Sequence, residues 1–484
     1  MAYINEFAKY SALNSLLKDE DVQDFMENIE IHKEKQGSFQ KIDNHIVDYP
    51  NKNIFCDNNL DYVFAFDGSK ISVPINNGLP GATVSCVRAG YVCVDMVKYH
   101  EYEKAEFPHP LKYREIFSTE NINIILPGTN VSSKDGEEVV GFFRRTWYEA
   151  FKRTKNQSLL RFIEDNNISH KPITLLETLK SLLMMADTFQ VSLPLVCKKP
   201  ITAANFASSQ QIRSESSPAV LEFEDIIEHE GVQIYITDLL GLFGFSSTFN
   251  KANSISEIHS QAMNLLEKFM CLNLIENLIE ILPKEDFKRI CFILDGPLAL
   301  YGAEPWIAKA ISNKIIKYIN EGFDLLIVGI EKTGLFVEHL QHMDKTNDLN
   351  GGAELRIGML FYLNQEYIKK YIKQPYVTQS YRADSYFGKK LFYKNNKGAL
   401  FVVNHNFISE DDKIESNNSR NSKEYLQRQT RLNNIIWILE RFQSSKFKNA
   451  ITFIALANES VSLSNSRISK KIMGGFAPVG NFNL

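Results

Sequence analysis

The stretch from Cys291 to Gly334 constrains the fold of this chain more than any other. An apolar strand pattern, CFILDGPLAL, is followed by a helix pattern, WIAKAISNKIIKYINEG, and then by a second apolar strand pattern, DLLIVGIEKTG. Strand, helix and strand in this order form a crossover unit whose two strands run parallel. An α/β core is therefore predicted.

Two further stretches predict strands, because β-branched and aromatic residues dominate them. They are residues 62–75 and residues 83–99, and the second is predicted to be a strand pair divided at Ala89-Gly90. A long helix is predicted over about residues 254–282. Near the C-terminus, a helix over about residues 424–442 is predicted to precede an apolar strand, AITFIALAN.

The length of 484 residues allows two or three domains, or one large core that carries an insertion. We predict an N-terminal extension over residues 1–55 and a core over residues 56–484. Helical patterns between the strands of that core predict a mainly helical insertion at about residues 137–215.

Composition narrows the class of protein. The net charge is -4, whereas a free-standing DNA-binding protein usually carries a basic excess. The six cysteines include no CxxC pair, which gives little support for a zinc motif or for a disulfide framework and favours a reducing compartment, the cytoplasm. No apolar run reaches the roughly 18 residues that a membrane helix needs, so no membrane association is expected.

Two Asp-Gly steps follow strongly apolar strand patterns, Asp67-Gly68 after VFAF and Asp295-Gly296 after CFIL. An acid at the end of a buried strand lies at the rim of the sheet, where the sites of α/β proteins gather. Two carboxylates brought together there repel each other unless a cation lies between them, and Mg²⁺ and Mn²⁺ favour such oxygen ligands. The alternative is that each Asp-Gly merely turns a hairpin. The second step leads toward a helix instead, which weakens that alternative.

Other charged residues extend the candidate site. Lys332 ends the strand pattern that follows Asp295, so it is expected on the same rim, although a solvated surface lysine is the alternative. The long helix before Asp295 offers four glutamates, and the sequence alone does not say which of them faces the aspartates: Glu257, Glu267, Glu276 and Glu280.

The segments YVFAFDGSK, CFILDGPLAL, IVGIEKTG and ALANESVSL, taken in this order, resemble the NurA nucleases over roughly residues 60–470. The resemblance implies a ribonuclease-H-like mixed sheet with a helical insertion. It also implies a requirement for Mn²⁺ or Mg²⁺, a homodimer, and docking on a HerA-like hexameric ATPase that translocates DNA.

The resemblance also implies roles for individual residues. Asp67 and Asp295 match the two aspartates of the family. Glu276 fits best as the family's helix glutamate by approximate spacing, with Glu280 and Glu267 as rivals.

Two further positions complete the comparison with the family. Lys332 matches the family lysine after the next strand. At the family's C-terminal histidine this chain has Asn458, which forms hydrogen bonds but cannot take up a proton.

A cluster of rings and cations near residue 390 is a candidate DNA contact. Tyr386, Lys389 and Lys390 belong to it, and aromatic rings stack bases while cations follow phosphates in single-strand channels. Alternation on a half-buried strand would produce the same pattern.

The predicted function is a metal-dependent DNA nuclease, a phosphodiesterase that processes DNA ends or defends against phage. In it, Asp67, Glu276 and Asp295 bind the ions and Lys332 offsets negative charge. The first rival is a non-catalytic DNA clamp or adaptor of the same ATPase, which a nuclease assay would distinguish. The second is an actin-like phosphotransferase, which calorimetric measurement of nucleotide binding would distinguish.

Overall fold

The computed structural model divides the chain into two units, residues 1–44 and residues 45–484. The residues that it describes are 18–28, 46–48, 60–75, 80–107, 109–165, 167–207, 222–243, 255–350, 355–363, 365–372, 385–415, 431–445 and 449–463. Within the described part of the first unit lies one helix, α1, Glu20–Asn28.

In the second unit, nine of the described strands form one sheet in the order β1-β9-β10-β11-β8-β7-β2-β3-β4. Two more strands, β5 and β6, form a separate hairpin. The strands are β1 Ile46–Asp48, β2 Tyr62–Pro74, β3 Thr83–Asp95, β4 Phe117–Pro127, β5 Ile226–His229, β6 Val232–Tyr235, β7 Ile290–Asp295, β8 Ile327–Glu331, β9 Met359–Tyr362, β10 Gly388–Lys394 and β11 Leu400–Asn406.

The helices of the second unit lie between these strands and cover the sheet. They are α2 Met96–Lys104, α3 Pro110–Glu115, α4 Val139–Arg153, α5 Gln157–Asp165, α6 Leu175–Leu183, α7 Ala203–Phe206, α8 Ile255–Ile281, α9 Pro305–Asn320, α10 Leu335–Asn350, α11 Gln365–Tyr367, α12 Glu410–Glu415, α13 Leu432–Arg441 and α14 Thr452–Val461. Short 3-10 segments, Ile236–Leu240 and Lys284–Arg289, and a π-helical turn, Ile368–Ile372, complete the list.

The centre of the sheet confirms the predicted fold class. Strands β2, β3 and β4 form an antiparallel meander, while β7 pairs parallel to β2 and β8 pairs parallel to β7. Across the sheet these five strands lie in the order β4-β3-β2-β7-β8. Numbered along the chain from β2, this is the order 3-2-1-4-5, which is the topology of a ribonuclease-H-like core. The predicted crossover unit is present as β7, α9 and β8.

Side chains on β2 alternate between two hydrophobic layers, as the pleat of a strand requires. Phe64 and Phe66 pack with α4, α6, α8 and α9 on one face of the sheet. Val63 and Ala65 pack with α13 and α14 on the other. The core is therefore a sheet between two helical layers, and Asp67, next in the alternation, belongs to the α14 face.

Two predictions about local structure are wrong. Residues 83–95 form one continuous strand, β3, instead of a pair divided at Ala89-Gly90, because the whole stretch pairs with β2 on one side. The predicted strand AITFIALAN is instead helix α14, because its apolar residues fall on one helical face and pack against the sheet.

Between β4 and β7 lie helices α4 to α8 and the β5–β6 hairpin. The described part of the predicted insertion, residues 137–207, holds α4 to α7, and residues 208–215 lie outside the described residues. Among the described helices, none combines the length and the apolar character that crossing a bilayer requires.

Candidate active site

The two Asp-Gly aspartates are brought side by side at one rim of the sheet. The parallel pairing of β2 with β7 runs to Phe66 opposite Leu294, and Asp67 and Asp295 are the next residue on each strand. Neighbouring strands lie about 5 Å apart. Both aspartates also continue the α14 face of their strands, so two acids that are 228 positions apart in the sequence share one small region.

Asp67 is held by two hydrogen bonds. The backbone N–H of Gly68 donates to its Oδ1 at 2.7 Å, and the side chain of Asn458 on α14 donates from Nδ2 to its Oδ2 at 2.8 Å. Only 5 % of Asp67 is exposed. The carboxylate is therefore fixed in orientation before any ligand arrives.

A third carboxylate, Glu267, reaches the site from helix α8 on the opposite face. Gly68 leaves room for it, since a Cβ at that position would lie 3.3 Å from Glu267 Oε2. Lys268 Nζ donates to the other carboxylate oxygen, Oε1, at 2.6 Å. Burial raises the pKa of Glu267 to about 7, and the charges of Asp67 and Asp295 contribute to that rise while Lys268 opposes it.

The electrostatics of Asp67 also indicate a crowded acidic site. Burial raises the pKa of Asp67 to about 6, and the charge of Asp295 adds to the rise. The hydrogen bonds from Asn458 and Gly68 and the charge of Lys332 act in the opposite direction. Carboxylates in this state are poorly neutralised by the protein itself, which is the condition under which a bound cation stabilises them.

Lys332 follows β8 and lies on the same rim, as its place in the sequence predicted. Its Nζ is 2.6 Å from Asp295 Oδ2, and its side chain is 21 % exposed. The ammonium group is thus close to the acids and still accessible to a ligand.

The structure does not bring Glu276 to the aspartates. Glu276 lies nine residues after Glu267 on α8, about 13 Å farther along the helix axis. Its carboxylate forms a buried ion pair with Lys314 of α9 and accepts hydrogen bonds from Thr178 and Ser181 of α6. Of the four helix glutamates, Glu267 is the one that we find beside Asp67.

The three predicted DNA contacts lie at or near β10. Lys390 is buried and paired with Glu331, and Lys389, whose ammonium lies 5.1 Å from the centre of the Tyr362 ring, is also buried. Successive residues of a strand point to opposite faces, so the two lysines do not line one groove. Tyr386 is half-buried, and its hydroxyl lies 2.5 Å from that of Tyr301, which is exposed.

The residues at this rim fit a hard divalent cation by their chemistry. Asp67, Asp295 and Glu267 offer only oxygen ligands, the type that Mg²⁺ and Mn²⁺ prefer. Among the described residues, however, their ligand atoms do not all approach within 4.8 Å of one another. Lys268 and Lys332 occupy one oxygen each on two of the acids, so a bound ion would compete with these lysines.

A signal for Glu267 was present in the sequence. Helix α8 is apolar on every side, which is typical of a buried helix. Charged residues in the middle of such a helix must be paired or functional. That reasoning selects Glu267 and Glu276 together, and only the three-dimensional structure separates them.

No protein-family model and no curated protein matches the chain. Several solved structures are similar to it, including two NurA structures. One is the NurA nuclease from Sulfolobus solfataricus, with 11 % identity, coverage of 97 % of both chains and a TM-score of 0.30. The other is a NurA bound to dAMP and manganese, with 10 % identity, coverage of 95 % of this chain and 94 % of that one, and a TM-score of 0.27. Both matches cover nearly the whole chain at low identity, and the site described above rests on this chain's own geometry.

Proposed function

We propose that this protein is a nuclease that hydrolyses phosphodiester bonds of DNA with the help of Mn²⁺ or Mg²⁺. The observation that supports this most is the meeting of Asp67, Asp295 and Glu267 at one rim of the sheet. Each of the three comes from a different element. The charge of Asp295 contributes to the raised pKa of both Asp67 and Glu267, and the charge of Asp67 contributes to that of Glu267. Carboxylates whose pKa values are perturbed by burial and by neighbouring charges are typical of functional sites.

Each residue has a distinct part in this proposal. Asp67, Asp295 and Glu267 would bind the cation, with Glu267 in the place first predicted for Glu276. A divalent ion in such a site polarises the scissile phosphate and makes a water molecule more nucleophilic. Lys332, placed beside Asp295, offsets negative charge on the phosphate in the transition state. Asn458 holds Asp67 in position and takes no proton.

The DNA strand would reach the site past the loop that follows β7. Tyr301 in this loop is 50 % exposed and contacts Tyr386 edge-to-face, with ring centres 6.0 Å apart. Exposed rings beside a phosphate-cleaving site are suited to stacking bases. Tyr386 is therefore still proposed as a DNA contact. Lys389 and Lys390 are less suited to contact DNA because they are buried.

The partners that we propose are a HerA-like hexameric ATPase and a second copy of this chain. The net charge of -4 supports a need for assistance, because few phosphates are neutralised by a protein without a basic excess.

A second candidate function is a non-catalytic DNA adaptor on the same ATPase. It is favoured by the pairing of Lys268 with Glu267 and of Lys332 with Asp295, since an acid site filled by lysines needs no metal.

A nuclease assay distinguishes the two functions. The full chain is incubated with linear and circular DNA in Mn²⁺, in Mg²⁺ and in a chelator, with and without the ATPase. The nuclease proposal expects cleavage that requires the metal and disappears in Asp67→Asn and Asp295→Asn. Absence of metal-dependent cleavage under all these conditions, with the protein folded and the ATPase present, would favour the adaptor.

A further inference from the structure

A second group of possible metal ligands lies far from the aspartates in the sequence and consists of Cys197, His229 and Glu230. One ligand atom from each residue lies within 4.8 Å of the other two. Among the described residues it is the one such group of three. The two aspartates and Glu267 do not belong to it.

The group forms where two turns meet. Cys197 lies in the loop closed by the bridge between Val191 and Ile201. His229 ends β5, and Glu230 and Gly231 form the two-residue turn to β6, with φ angles of 54° and 74°. Positive φ at both central positions is typical of a tight hairpin turn, and for glutamate this conformation is uncommon.

Contacts within the group hold the ligands in place. The Glu230 carboxylate accepts hydrogen bonds at its Oε2 from the backbone N–H groups of Lys198 and Lys199, at 2.7 and 3.0 Å. Both of these hydrogen bonds use Oε2, so Oε1 can serve as a ligand atom. Cys197 is buried and is not in a disulfide, and its thiol donates a hydrogen bond to the Lys199 carbonyl at 3.2 Å.

The histidine supplies an independent observation. His229 Nε2 is buried and has no hydrogen-bond partner among the described residues. A buried polar atom without a partner costs about 1–3 kcal/mol, so native structures rarely keep one without reason. A metal ion bound to Nε2 would supply the partner that this nitrogen lacks among the described residues.

We propose that Cys197, His229 and Glu230 form a zinc-class site that joins the loop 192–200 to the β5–β6 turn. One sulfur, one imidazole nitrogen and one carboxylate oxygen are ligands that Zn²⁺ accepts in tetrahedral geometry, with water as the fourth. A thiolate favours this softer ion over Mg²⁺ or Mn²⁺, so the two sites would select different metals. On binding, the Zn–S bond replaces the S–H bond and the thiol proton passes to water. The site does not depend on the proposed nuclease activity.

Cobalt(II) tests the site directly, because a cobalt–thiolate bond gives a charge-transfer absorption that a site made only of oxygen ligands cannot give. The full chain, without a histidine tag and with its thiols reduced, is freed of metal and titrated with Co²⁺ and then with Zn²⁺. We expect one equivalent of cobalt with thiolate absorption, displaced by one equivalent of Zn²⁺. Absence of this absorption in the folded wild-type protein would overturn the proposal.

Three variants assign the ligands. Cys197→Ser and His229→Ala should abolish the thiolate absorption or weaken Zn²⁺ binding by more than the 10- to 100-fold, on the order of magnitude, that loss of an outer partner costs. Cys93→Ser, which removes another thiol, should leave both unchanged. Because Glu230 is exposed, Glu230→Gln should fold normally. It therefore tests the proposal even if Cys197→Ser and His229→Ala do not fold. The proposal is wrong if Cys197→Ser folds and keeps the absorption, or if Glu230→Gln binds Zn²⁺ as tightly as the wild type.

Discussion

The raised pKa of Asp67 comes from its position in the fold. It lies buried beside a like charge, and two N–H donors, from Gly68 and Asn458, offset only part of the cost of burying its ionised form. A carboxyl group whose pKa is raised in the folded state stabilises the fold at low pH. It loses that contribution as the pH rises through the folded pKa.

The first prediction follows from this sign. In the absence of metal, Asp67→Asn should be more stable than the wild type above pH 6, by on the order of 2 kcal/mol, and the difference should shrink toward pH 4. Chemical denaturation at several pH values measures it. The same variant, and Asp295→Asn, should lose cleavage in Mn²⁺, and the double variant should be no worse than either one.

A hairpin role for these aspartates makes the opposite prediction. Asparagine suits an Asp-Gly turn nearly as well as aspartate does, so activity would survive the substitution. Near wild-type cleavage in either single variant would therefore remove the physical basis of the proposed site.

Asn458 allows a second prediction at the scale of one residue. Its hydrogen bond lowers the pKa of Asp67, so Asn458→Ala should raise that pKa by about one unit, given the strength of a hydrogen bond to a charged group. The acid limb of the pH–rate profile should move upward by a similar amount. Ser460→Ala, two residues later on α14, serves as the control and should leave the profile in place. An unchanged profile in Asn458→Ala would mean that Asp67 does not govern that limb.

At the scale of elements, helix α8 has two separate tasks. Glu267 faces the aspartates, whereas Glu276 pairs with Lys314 and thereby connects α8 to α6 and α9. Burial lowers the pKa of Lys314, because desolvation disfavours the charged form of this lysine. One helix thus supports both the site and the helical layer behind it.

The third prediction separates these tasks. Glu267→Gln should abolish metal-dependent cleavage, and it should also cost stability because it leaves the buried Lys268 without its partner. Glu276→Gln should keep cleavage and lower the free energy of unfolding by about 3 kcal/mol, because it leaves Lys314 as an unpaired buried charge. Adding Lys314→Met should recover part of that loss. If Glu276→Gln is instead the inactive variant and Glu267→Gln keeps cleavage, the assignment of Glu267 is wrong.

The contact of α14 with the sheet gives a fourth prediction. Gly90 lies opposite Asp67 on β3, and a Cβ there would approach Val461 Cγ1 to 2.7 Å and Asn121 Oδ1 to 2.1 Å. Gly90→Ala should therefore displace α14, which carries Asn458, and reduce both stability and activity. Since both changes act on Asp67 through one helix, the activity losses of Gly90→Ala and Asn458→Ala should not add. Additive losses would mean that Gly90 acts elsewhere.

At the scale of the whole molecule, local patterns predicted much of the core. The β7–α9–β8 crossover followed from periodicity, and the placing of Asp295 and Lys332 on one rim followed from the rule that parallel strands end together. Helix α14 was not predicted, because a short apolar run does not distinguish a buried helix from a strand. The choice of Glu267 over Glu276 depends on which turn of α8 crosses Gly68, and nothing in the local sequence encodes that crossing.

The charge of the whole chain leads to the last prediction. With 54 basic and 58 acidic residues, the protein has no general excess with which to attract DNA. Affinity that comes from phosphate neutralisation falls steeply with salt, so a protein with few such contacts binds weakly and with a shallow salt dependence. We therefore expect weak DNA binding and slow cleavage by the protein alone, and strong stimulation by a HerA-like ATPase that delivers the strand. Cleavage rates with Mn²⁺ are compared with and without the ATPase at two salt concentrations. An ATPase that hydrolyses ATP but cannot bind this protein serves as the control. Equal rates with and without the competent ATPase would show that the nuclease reaches its substrate unaided. The charge of the chain would then give no support to a dependence of cleavage on the ATPase.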